Sequence, residues 1–256
     1  MNEPICYEQP LNERSRMLLR LEYVFQQIDR YRSGDSPWDS RQCLEGLLDL
    51  FNLIGRNEIK VELLKELDRH TTTLTRLKDT PGVDTQALEG FLSRLEQITS
   101  GVHGTDNLQF DEVRKNELLN AVRQRSTIPG GSCSFDRPAL HHWLNHGFRE
   151  RQRDLNGWLR PFQPLQEAVL LLLRLIRSSA VPSEEVAREG FFHKGLNGTA
   201  PNQLVQVLVE REHGVFPEIS AGRQRVSVRF MEQPDPAHRP RPFGQDVPFR
   251  LVCCVI

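Results

Sequence analysis

The feature that most constrains this chain is a change of hydrophobic period near residue 180. Before it, apolar residues recur at helical spacing; after it, they alternate. Side chains return to one face after about 3.6 residues in a helix and about 2 in a strand, so a single element cannot serve both patterns. Two structural regimes are therefore expected in one chain.

In the first regime, "PLNERSRMLLRLEYVFQQIDRY" offers Asn12 as an N-cap, Glu13 in the first turn, and Met17, Leu18, Leu21, Val24, Phe25 and Ile28 on one face. A second helix is expected over about Ser40 to Ile54, closed by Gly55 as its C′ residue. A third carries Ile59, Leu63, Leu64, Leu67, Leu74 and Leu77, with the Pro81-Gly82 turn beyond it. A fourth runs from Asp84 to Ile98 and a fifth from Asp111 to Arg125. The apolar run from Ala168 to Leu173, inside a helix over 164–178, is too short to cross a bilayer and reads as a buried central helix.

In the second regime, "NQLVQVLVERE" alternates Val205, Val207 and Val209 against Leu204, Gln206 and Leu208, so both faces are expected to be partly covered. "RQRVSVRFM" places Val226, Val228 and Phe230 on one face and Arg223, Arg225, Ser227 and Arg229 on the other. "VPFRLVCCVI" continues as a C-terminal strand, and its last four residues also match a prenylation box. The proline-rich stretch 233–246 is expected to be a loop. "ICYEQ" precedes the helices yet reads as a strand, which places it in the C-terminal sheet. The expected fold class is α+β. An all-α domain over 10–180, linked by an N-terminal strand, is followed by a smaller antiparallel β-rich domain of 1–9 plus 181–256.

A net charge of −1 lacks the bulk positive field of a general nucleic-acid binder. The opening "MNEPICYEQP" has neither a basic leader nor an apolar core, so a cytosolic chain is expected. Five cysteines without a C-x-x-C pair argue against a disulfide framework or zinc ribbon and are expected to be buried, reduced thiols.

The stretch "RQRSTIPGGSCSFDRPALHHWL" admits three readings. As a hydrolase loop, Cys133 or Ser132 would be the nucleophile and His141 its base, but no nucleophile-elbow, Walker or dinucleotide signature accompanies them. As a metal site, His142 and His146 stand four apart on a helix without a specified third ligand. As structure, Pro129 and Gly130-Gly131 stop one helix, Asp136 caps the next, Pro138 occupies its first turn, and Phe135 staples onto Leu140. The structural reading accounts for the most residues, and one of His141 or His142 is then expected to pack in the core or line a polar cleft.

The cations are 28 arginines against 5 lysines. Arg16 and Arg20 lie one helical turn apart, and Arg223, Arg225 and Arg229 share a strand face; like charges so placed call for an anion or open water. If the first helix packs beside the sheet, the two sets flank one cleft.

"EQPLNERSRMLLRLE", "LLKELDR", "AVRQRSTIPGGSCSFDRPALHHWL" and "RVSVRFM" together resemble the Z-ring-associated protein D (ZapD) family of bacterial cell division, from the N-terminus to about Met231. The resemblance implies a cytoplasmic homodimer at the midcell division ring, with an α-helical and a β-rich domain. It implies binding to the C-terminal tail of the tubulin-like GTPase FtsZ and bundling of its filaments, without enzymatic activity, cofactor, nucleic-acid binding or membrane insertion. By motif position it implies Arg16, Arg20, Arg56, His141, Arg223 and Arg225 as tail contacts, to which strand geometry adds Arg229.

Overall fold

The structure is a computed structural model that describes residues 3–54, 58–78, 80–105, 107–124, 128, 131, 133–222 and 224–256. The elements are β1 (Ile5–Pro10), then α1 (Glu13–Arg32), α2 (Pro37–Ile54), α3 (Glu58–Thr75), α4 (Thr85–Gly104), α5 (Asn107–Arg114), α6 (Glu117–Gln124), α7 (Pro138–Leu144), α8 (Phe148–Leu159) and α9 (Gln163–Arg177). Strands follow: β2 (Ser183–Ala187), β3 (Phe191–Gly195), β4 (Asn202–Val209), β5 (Val215–Ala221), β6 (Arg225–Glu232), β7 (Arg241–Pro242) and β8 (Val247–Val255). The fold is α+β. The chain forms two compact units, Met1–Leu18 with Leu173–Ile256, and Leu19–Leu172, and the divisions fall inside α1 and α9.

In the helical unit, Phe162 is 1% exposed and gathers Phe51 edge-on at 5.5 Å and Phe110 at 4.9 Å between ring centroids. Arg151 is also buried and ties three segments together. Its Nε donates to Ser40 Oγ (2.9 Å), Nη1 to the carbonyls of Leu144 (3.3 Å) and His146, and Nη2 to the Asp35 carbonyl (2.5 Å). Those acceptors offset the expense of burying a charge. Among the described residues no helix is long and apolar enough to cross a membrane.

In the β unit, two antiparallel sheets face each other, one in the order β1-β4-β8-β2 and one in the order β3-β6-β5, with β7 also on β6. Their inner faces bury Val205, Val207 and Val209 of β4, Val226, Val228 and Phe230 of β6, and Val247, Phe249 and Leu251 of β8, the alternation expected of packed sheets. The other face of β4 and β8 is covered too: Leu204 and Cys254 are fully buried and Val252 is 3% exposed. β1 pairs with β4 from Ile5↔Val209 to Pro10↔Leu204, so the first strand completes the C-terminal sheet. Glu8 on β1 accepts from Arg177 Nε (2.9 Å) and Nη2 (2.7 Å) and from Gln206 Nε2 (2.9 Å). Burial alone would raise the Glu8 carboxyl; the hydrogen bonds from Arg177 and Gln206 and the Arg177 charge outweigh it and hold it below its usual value.

One glycine is required by close approach. Gly190, just before β3, has φ +73°, and a Cβ there would stand 2.0 Å from the Phe243 carbonyl oxygen. Its carbonyl accepts from Phe230 N at 2.8 Å, and Phe243 N donates to the Phe230 carbonyl at 2.9 Å. Three backbone segments meet where no side chain fits.

Several expectations change. Asn12 does cap α1, accepting from Ser15 N at 2.9 Å, and Asp84 caps α4, accepting from Ala87 N at 3.0 Å. α2 begins earlier, because Ser36 and Asp39 bond each other's backbone N–H reciprocally at 3.1 Å ahead of Pro37, a capping box readable in "SPWD". α3 ends at Thr75, leaving Leu77 in a turn and 39% exposed. α4 continues past Ile98 to Gly104. The expected fifth helix is two, since Asn116 Oδ1 accepts from Leu119 N at 3.1 Å and starts α6 afresh. The staple is absent: Phe135 is 82% exposed, and Arg137, held off helical geometry by the proline after it, occupies the N-cap position of α7. Cys6 and Cys133 are exposed rather than buried, although all five cysteines are free thiols. The expected cap Gly55 lies outside the described residues, as do Pro129 and Gly130, expected to stop a helix.

Candidate functional site

β6 is the centre of its sheet, and burial of Val226, Val228 and Phe230 forces Arg225, Ser227 and Arg229 outward. Arg225 and Arg229 are exposed and, among the described residues, neither is in an ion pair. Arg188, Arg241 and Arg177 of the same unit are paired, with Asp246, Glu232 and Glu8 respectively. Four residues along one strand separate the two outward guanidinium stems by roughly 13 Å at the root.

The register brings other groups beside them. Arg229 stands opposite Phe191 on β3 and opposite Glu218 on β5, while Ser227 stands opposite His193 and Ser220. Arg229 Cζ lies 5.8 Å from the Phe191 ring centroid, within cation–π range. Phe191 is 44% exposed, its ring stacked at 6.0 Å on the His193 imidazole, whereas Phe192 turns inward against Phe249. These side chains border an open depression of about 380 Å³ lined by Phe191, Glu218, Ile219, Ser220, Ser227 and Arg229. Its floor is low where two serines face each other. The sequence does not reveal Phe191: "FFHK" puts one ring on each face of a strand, and which face stays open is set by the opposing sheet.

The remaining expected positions are distributed over both units. Arg16, in the first turns of α1, sets Nε 3.3 Å from Glu13 Oε1 without hydrogen-bond alignment. Arg20, one turn on, is exposed and without an ion pair among the described residues. His141 is exposed on α7, with Nε2 3.5 Å from Asn145 Nδ2. That helix is firmly seated. Trp143 Nε1 donates to Asp154 Oδ2 at 3.1 Å, its ring lies 5.5 Å from Trp158, and Arg151 holds the carbonyls at the helix exit. Neither His141 nor His142 packs in the core; the buried imidazole is His70, fully excluded from solvent on α3. Arg56 and Arg223 lie outside the described residues. The structure therefore brings Arg225 and Arg229 onto one face. Arg16 belongs to the same unit, and Arg20 and His141 to the other.

Among the described residues the rival chemistries gain no partners. Ser132 lies outside the described residues, and among the described residues no hydrogen bond links the exposed Cys133 to His141. The Nε2 atoms of His142 and His146 approach to 3.3 Å, but among the described residues no group of three or more metal-ligating side chains forms. Elsewhere, burial pushes the Cys43 and Cys254 thiols up to about 12, out of the reactive range.

Comparison with known proteins bears on this geometry. A family model described as "ZapD: Cell division protein" matches residues 19–229. A protein of Methylococcus capsulatus is 40% identical over 256 residues, covering 100% of both chains; one of Aromatoleum aromaticum is 39% identical over 250 residues, covering 98% of this chain and 97% of its own. A third, from Coxiella burnetii, is 36% identical over 253 residues, covering 98% of each. All three bear the name "Cell division protein ZapD".

Proposed function

The chain belongs to the ZapD family of cell division proteins, and from that premise we propose that it is a non-enzymatic, cytoplasmic homodimer that binds the C-terminal tail of FtsZ and cross-links FtsZ filaments at midcell. The observation that carries the reading is the outer face of β6. Arg225 and Arg229 stand exposed and, among the described residues, outside any ion pair, beside an exposed aromatic residue. A basic face with an apolar border suits a peptide that mixes acidic and apolar side chains. Arg16, Arg20, Arg56, His141 and Arg223 are the further tail contacts in this reading. A dimer carrying two such faces holds two filaments, and many weak contacts along a polymer add up by avidity.

The test is co-sedimentation with polymerised FtsZ, intact or lacking its tail. The protein should pellet with intact filaments and remain in the supernatant with tail-less ones. Arg225→Glu should abolish pelleting and bundling while the oligomeric state, measured by light scattering, stays unchanged. Equal pelleting with both polymers, or wild-type bundling by the variant, would overturn the reading.

A further inference from the structure

The depression beside Arg229 carries more information than a basic patch, because it joins two kinds of surface at a fixed spacing. Phe191 and Arg229 are register partners on adjacent antiparallel strands, so their Cα atoms lie about 5 Å apart. The guanidinium is seated against the ring with Cζ 5.8 Å from its centroid. Phe191 as a whole is 44% exposed, and the His193 ring stacks on its ring at 6.0 Å, from the residue two along the same strand face. On the far side of Arg229 stands Glu218, its register partner on β5. Glu218 makes no ion pair among the described residues. The centre is left low by Ser220 and Ser227.

We infer that Phe191 and Arg229 form a two-part subsite for one acidic, apolar-containing peptide, the ring taking an apolar side chain and the guanidinium taking a carboxylate two residues away. The spacing follows from extended-chain geometry. In an extended peptide the side chains at i and i+2 project from the same face, about 6.7 Å apart, whereas neighbours project to opposite faces. That matches a ring and a guanidinium held on adjacent strands. Glu218 sets the polarity: its negative charge disfavours a carboxylate on the β5 side, so the acid is accepted from the β3 side, where the ring also lies. Binding at Arg229 is therefore read together with an apolar neighbour, and Phe191 is a specificity-determining contact that the cation pattern alone does not identify. The proposal rests on the tail-binding reading above and names the sequence element that this face selects.

The experiment is fluorescence anisotropy with a labelled FtsZ C-terminal tail peptide and the full chain. Phe191→Ala and Arg229→Gln should each weaken binding about tenfold, and the double variant should be little weaker than either single one, because ring and guanidinium hold each other in place. Phe191→Tyr, which keeps the ring, should bind like wild type, and thermal unfolding confirms that each variant is folded. If Phe191→Ala perturbs the edge strand, Arg229→Lys takes its place: it keeps the charge, loses the planar stack, and should still weaken binding. A second peptide in which each carboxylate is shifted by one residue relative to its apolar neighbour should lose the same factor on wild type and lose nothing further on Phe191→Ala. Wild-type affinity in Phe191→Ala or Arg229→Lys, alongside lost binding in Arg225→Glu, would overturn the subsite and leave the tail reading standing. Absence of tail binding by the wild-type chain would overturn both.

Discussion

Single residues in this molecule are settled by what surrounds them in space, and His70 is the clearest case. It is fully buried on α3, with Nε2 accepting from Arg69 Nη2 at 3.0 Å, and among the described residues its Nδ1 has no hydrogen-bond partner. Burial, and then the Arg69 charge, push its pKa down to about 4 from 6.5, against the opposing pull of Glu66. The neutral form is thus the folded form. An unfolded chain takes up this proton as pH falls below about 6.5 while the folded chain resists until about 4, so the stability contributed is full above 6.5 and lost on descending through that window. The loss should approach about 3 kcal/mol at the acid end. Urea unfolding at pH 7, 6 and 5 should show the decline, and His70→Gln should flatten it; an unchanged slope would refute the assignment. The sequence made the cap Asn12 legible, because a cap is decided within four residues. It did not make Phe135 or Phe191 legible, because the exposure of an aromatic ring depends on an opposing surface that sequence spacing does not specify.

At the scale of elements, the sequence spoke clearly wherever one period ran long enough. β6 alternates from Arg225 to Phe230 and β8 from Val247 to Leu251, and α1 and α2 carry an apolar face over elements of 20 and 18 residues. Short strands were silent: β2 and β3 have 5 residues each, carry charges, and owe their pairing to β8 and β6. Asn116 split an apparently continuous helix because a side-chain cap competes with helix propagation at that point. The outward arginines of β6 were readable from alternation alone, whereas the ring beside them was not. The turn leading into β3 yields a prediction. Gly190→Ala would place a methyl group on the Phe243 carbonyl and impose a positive φ on a residue with a side chain. It should destabilise the β unit by roughly 2–4 kcal/mol, measurable as a lower urea midpoint. Near-wild-type stability would mean that the three backbones can separate. Since Phe191 is the next residue, the same variant should weaken tail binding beyond its effect on stability.

The molecule as a whole is a helical unit and a β unit, each with its own core, in a chain of net charge −1. Without a bulk positive field, the proposed attraction to an acidic tail would depend on a few guanidinium groups at a surface, where salt screens them. Raising ionic strength from about 50 to 300 mM shortens the screening length from roughly 14 to 6 Å, so FtsZ bundling should fall steeply while circular dichroism stays constant. Salt-independent bundling, followed by pelleting and light scattering, would remove the arginines from the mechanism. The strand β1 has a different consequence, in the order of biosynthesis. Its partners run from Leu204 to Val209, so β1 waits for about 200 further residues to be made before it can pair. At about 5–20 residues per second, that delay is roughly 10–40 s. The helical segments emerge within it, while Ile5 to Pro10 remain an unpaired edge strand available to any other exposed edge. Completion of the sheet is thus a check on synthesis through β4: a nascent chain that stalls before it leaves β1 without its partner.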